Sequence, residues 1–60
     1  MSFEEFLALI RESVGTYCTD AYWKWTYDSL PDKSLEYVEN NLSFLAINAI
    51  GTDHATRASF

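Results

Sequence analysis

Between Tyr17 and Tyr27 the chain places Tyr17, Tyr22, Trp23, Trp25 and Tyr27 in a single short segment. The way this segment folds decides what can be built around it. As a strand, Trp23, Trp25 and Tyr27 alternate with Lys24, Thr26 and Asp28, and the aromatic and Thr content suits β structure. As a helix, Thr19 or Asp20 caps the start, Trp23, Tyr27 and Leu30 form one row, Cys18, Tyr22 and Trp25 form another, and Pro31 ends it. Pairing separates the two. The chain offers no convincing second strand except Thr16 to Thr19, and a lone two-stranded hairpin is marginal in water. A helix over 19–30 is therefore expected, with a short aromatic hairpin at about 16–27 in an α+β fold as the alternative.

The flanking segments carry clearer helical signals. Ser2 and Glu5 have the S-x-x-E spacing of a capping box, and Glu4 and Glu5 suit the positive end of a helix dipole. Phe3, Phe6, Leu7, Ile10 and Val14 recur at helical spacing, Leu9 widens their stripe, and Gly15 is placed to end the helix. This predicts a first helix over 3–14. A third, over 34–50, starts at the N-cap candidate Ser34 and carries Leu35, Val38, Leu42, Leu45 and Ala49, with Asn40-Asn41 as a weak point and Gly51 as its stop. Residues 52–60 are polar and aperiodic, and a flexible tail is expected there. The expected architecture is all-α, one three-helix domain over 1–51.

Sixty residues support only a thin core: a domain of this length buries about 60% of its unfolded surface and draws about 3–5 kcal/mol from that core. Cys18 is the sole cysteine and His54 the sole histidine, so an intramolecular disulfide is excluded and no zinc-type ligand spacing exists. A lone thiol fits a reducing, cytoplasmic setting. With 4 Lys+Arg against 9 Asp+Glu, the formal charge of -5 disfavours nucleic acid and anionic membrane as direct partners. No apolar run approaches the ~18 residues of a spanning helix.

Chemistry-bearing groups are sparse. Cys18, His54 and Asp20 or Asp53 could be drawn as a nucleophilic triad, but the histidine falls in the expected tail, where no base is preorganised. Glu4/Glu5 and Glu36/Glu39 read as solvated helix positions rather than acid/base pairs, and Asp53 with His54 is too small a ligand set for a metal. No catalytic residue, metal or cofactor is assigned. Trp23 and Trp25 could stack a small ligand, although no hydrogen-bonding partners for one can be named.

Surplus apolar surface is the stronger functional signal. On the third helix Tyr37 and Phe44 fall nearly opposite the Leu35/Val38/Leu42/Leu45 stripe, with Ile47 to their side. A three-helix monomer needs one such face. A central sandwiched helix, or a break at Asn40-Asn41 that turns both faces inward, would hide the second; otherwise it docks against another chain. Asp28, Asp32, Glu36 and Glu39 add a negative strip that could steer a basic partner or, in the extreme, imitate nucleic-acid phosphates. In general type the chain resembles small non-catalytic inhibitors and adaptors. The expected function is binding of a cytoplasmic protein through Trp23, Trp25, Tyr37 and Phe44, steered by Glu36 and Glu39, with self-association into a homo-oligomer. The alternatives are an acidic DNA mimic that inhibits a nucleic-acid-binding protein and a small-ligand binder.

Overall fold

A computed structural model describes residues 1–58, which form four helices and, among those residues, no strand: α1 Phe3–Ser13, α2 Asp20–Ser29, α3 Leu35–Asn40 and α4 Leu42–Ala58. The fold is all-α. The aromatic segment is the helix α2, so the hairpin alternative does not form.

Local chemistry accounts for most boundaries. The capping box is complete: Ser2 Oγ accepts from the Glu5 N–H at 3.2 Å and Glu5 Oε1 accepts from the Ser2 N–H at 3.0 Å. Hydrogen bonding to Ser2, backbone first, also holds the Glu5 carboxyl below its ordinary pKa. At the other end of α1, Gly15 takes φ +120°, a region costly for any residue with a Cβ, and its N–H closes on the Ile10 carbonyl at 3.0 Å. Thr19 caps α2 through the Tyr22 N–H, and Leu30 adopts extended dihedrals because Pro31 follows it. Ser34 caps α3 through the Tyr37 N–H.

The helix predicted over 34–50 is divided at Asn41. Its amide Nδ2 donates to the Tyr37 carbonyl at 2.8 Å, and its backbone leaves the helical region at φ -111°, ψ 8°. Asn supplies a side-chain donor that competes with the backbone ladder, which is why it breaks helices where Leu or Ala would not. The stop expected at Gly51 does not occur. Helix α4 passes through it to Ala58, so the helical stretch is longer than predicted; residues 59 and 60 lie outside the described residues. Glycine lowers helix propensity without forbidding helix, and here the helix runs on with no positive φ at that position.

Helix α1 packs on α2 and α3 on α4. Each helix sends residues to the centre: Phe6 and Ile10, Trp23, Val38, and Ala49 are fully buried, ringed by half-buried Leu7, Tyr22, Tyr27, Leu42 and Leu45 among others. The aromatic rings meet edge to face, with Phe6 and Trp23 centroids 6.1 Å apart at 61° and Tyr22 and Trp23 5.1 Å apart at 84°. Such geometry sets the positive ring edge against the negative ring face. Leu35, expected on the core stripe, is instead 51% exposed, because it opens the first turn of the short α3 at the rim of the bundle.

Candidate functional site

The α1–α2 connection determines which aromatic faces inward. Arg11, in the last turn of α1, spreads its guanidinium over the loop: Nη1 donates to the Tyr17 carbonyl at 3.1 Å and the Gly15 carbonyl at 3.4 Å, while Nη2 reaches the Cys18 carbonyl at 3.3 Å and Asp20 Oδ1 at 2.7 Å. A planar fork satisfies several acceptors at once where an ammonium could not. Trp23 reinforces the same loop, its indole N–H donating to the Tyr17 carbonyl at 2.8 Å.

Trp23 is therefore a core residue, and its assignment to a partner-binding surface is corrected: the side chain is completely buried and its one polar atom is satisfied within the chain. Adjacent in sequence but on another side of α2, Trp25 is 67% exposed. Phe44 and Ile47 on α4 are each 69% exposed. The break at Asn41 thus does not turn Phe44 inward. Tyr37 is half-buried, and Glu36 and Glu39 are exposed.

Trp25 borders an open groove of about 390 Å³ between α2 and α4, walled by Tyr22, Trp25 and Ser29 on one side and Leu45, Asn48 and Thr52 on the other. None of the side chains lining it carries a charge at neutral pH. Thr26 also lines it, and its Oγ1 is buried without a hydrogen-bond partner. A separate shallow depression of about 260 Å³ brings Glu36 and Tyr37 together with Asp32, Ser34 and Asn40. The expected binding residues consequently divide among three places: Trp25 at the α2–α4 groove, Phe44 on the exposed side of α4, and Tyr37 with Glu36 on α3.

The two lysines are engaged internally. Lys24 pairs with Asp28 at 2.9 Å and lies over the rings of Phe3 and Tyr27, and Lys33 lies 5.3 Å from the Tyr27 ring and donates to the Leu30 carbonyl. The Lys24 contact removes Asp28 from the expected negative strip, which leaves Asp32, Glu36 and Glu39.

Cys18 does not have the surroundings of an activated nucleophile. Its Sγ points to the Ala49 carbonyl at 3.3 Å, and its pKa is raised, first by burial and then by the Asp53 charge, against a smaller opposing pull from Arg11. His54 is exposed on α4. Among the described residues no group of three or more His, Cys, Asp or Glu could hold a metal ion, and no helix is long and apolar enough to cross a membrane.

Sequence reasoning undervalued two residues. Arg11 belongs to no sequence motif, although its place in a last helical turn shortly before Gly15 is where an arginine can reach loop carbonyls. Ile47 was only a neighbour of Phe44, yet it is equally exposed. No protein-family model, curated protein or solved structure matches this chain.

Proposed function

We propose that the chain is a non-catalytic protein-binding module, an adaptor or inhibitor that engages another protein in a reducing, cytoplasmic compartment through the α2–α4 groove. The observation that carries this reading is Trp25, a 67% exposed indole beside an uncharged groove in a protein with so little core to spare. Trp is among the residue types most enriched as energetic anchors at interfaces, and an uncharged groove between two helices, lined by Trp25, Leu30 and Leu45 beside Thr26, Ser29 and Asn48, suits an inserted helix or loop with both apolar and hydrogen-bonding side chains. Asp32, Glu36 and Glu39 supply steering charge away from the groove.

The test is a comparison of wild-type and Trp25→Ala protein, both immobilised as bait and then titrated against the protein they retain. Because Trp25 is exposed, the substitution leaves helix content unchanged, and the reading expects a loss of ~2 kcal/mol or more in affinity. Equal affinity at equal helicity would remove the groove from the interface. The acidic-mimic alternative draws on Asp32 and Glu36 sharing one depression. It requires affinity to fall steeply with salt and the partner to be displaced by nucleic acid, whereas a groove contact responds weakly to salt.

A further inference from the structure

The outer face of α4 differs from the groove. Taking 100° per residue, the row Phe44, Ile47 and Gly51 is centred about 100° around the helix from the groove row Leu45, Asn48 and Thr52. Phe44 and Ile47 project from it with 69% of their surface exposed, and Gly51 leaves a gap beside them: a Cβ built there would meet nothing within 4 Å. Among the described residues nothing requires this glycine. It has no positive φ, no close neighbour, and it weakens the helix that runs through it. The whole stretch from Leu42 to Thr52 is also free of charge, in a chain whose net charge is -5.

We infer that a second copy of this chain docks on this face, with the two α4 helices antiparallel across a two-fold axis and Phe44 of each copy filling the gap over Gly51 of the other. The inference rests on the reading of the chain as a binding module and supplies a partner for the face outside the groove. Charge selects the occupant. Two acidic chains approach only where neither presents acids, and the neutral face of α4 meets that condition with an identical face.

Geometry selects the direction. A two-fold contact is self-complementary, so residue i meets j and j meets i. Phe44 and Gly51 lie about two helical turns apart, and an antiparallel pair centred between Ile47 and Asn48 places each ring over the partner's glycine. A parallel pair would set ring against ring and gap against gap, with the helix dipoles aligned. Area sets the strength. A standard interface takes about 800 Å² from each partner, roughly a fifth of the 4093 Å² here. One helix against its copy covers less than that, so association is reversible and concentration-dependent.

Sedimentation equilibrium of the full chain, from about 1 µM to 1 mM, reads the outcome. The expected result is a mass that rises from 6.9 kDa toward twice that value. Phe44→Glu should raise the dissociation constant at least tenfold with helix content intact. Gly51→Leu provides the sharper check because its two effects have opposite sign: more helix and a higher unfolding midpoint in the isolated chain, but at least tenfold weaker association. A wild-type chain that stays at 6.9 kDa throughout, or a Gly51→Leu variant that associates as well as wild type, overturns the inference. A monomeric chain that still holds a partner through Trp25 would overturn only the dimer, whereas a dimer that binds nothing through Trp25 would overturn only the groove.

Discussion

Replacing each tryptophan in turn should produce opposite results from neighbouring positions. Trp23 is completely buried, in edge contact with Phe6 and Tyr22, and donates its indole N–H to the Tyr17 carbonyl. Truncation of a core Trp to Ala costs about 3–5 kcal/mol through lost burial and the cavity left behind. A core of this size contributes about 3–5 kcal/mol in total, so Trp23→Ala should be largely unfolded at room temperature. Trp23→Phe is milder. It forfeits one hydrogen bond, about 1 kcal/mol, and part of the ring volume, about another 1 kcal/mol; the Tyr17 carbonyl is not orphaned, because Arg11 Nη1 also donates to it at 3.1 Å. Trp25→Phe, at an exposed position, should cost within about 0.5 kcal/mol. Urea unfolding followed by far-ultraviolet circular dichroism measures all three. The single-tryptophan variants also report environment directly: Trp23 alone should resist acrylamide quenching and Trp25 alone should not. Equal stability of Trp23→Ala and Trp25→Ala would refute the packing argument, and equal quenching of the two indoles in folded Trp23→Phe and Trp25→Phe proteins would do the same.

Other consequences follow from the loop and the helix ends. Arg11→Lys should destabilise by about 1–2 kcal/mol in the same urea assay, since one ammonium cannot serve the carbonyls of Gly15, Tyr17 and Cys18 together, while Asp20→Ala should cost less than about 1 kcal/mol because its carboxylate is exposed. Glu5 has a lowered pKa in the folded chain, so its contribution is present above the unfolded value and lost as pH falls through the folded one; Ser2→Ala should flatten that part of the acid limb, and an unchanged limb would show the capping box to be dispensable. Cys18, with its raised pKa, should react with a thiol reagent at neutral pH more slowly than a free cysteine and accelerate on unfolding, and immediate labelling of the folded chain would contradict the assigned environment.

Particular residues show where sequence reading succeeds and where it stops. Ser2 with Glu5, Thr19, Ser34, Gly15 and Pro31 each delimit a helix as their side chains and dihedral preferences dictate, because their partners lie within a few residues. Asn41 belongs to the same group, and the weak point read at Asn40-Asn41 is where α3 ends. Gly51 was misjudged because glycine ends a helix only when the chain beyond it turns away, and here it continues. The candidate surface was half legible. Helical spacing identified two aromatic faces on α2 and exposed positions for Phe44, but it assigned Trp23 and Trp25 the same role.

Sequence alone determined the capped starts of α1, α2 and α3, the turn at Gly15 and the acidic charge of the chain, since the caps and the turn depend on hydrogen bonds and backbone preferences among near neighbours. Tertiary structure decided that Trp23 rather than Trp25 fills the core, that Arg11 ties the loop together, and that Cys18 is held at φ +62° with its thiol against Ala49. Periodicity assigns a residue to a face of a helix. Which face wins a place in the small interior depends on helices distant in sequence competing for the same space, and the exposed sides of Trp25, Phe44 and Ile47 are what that competition left outside.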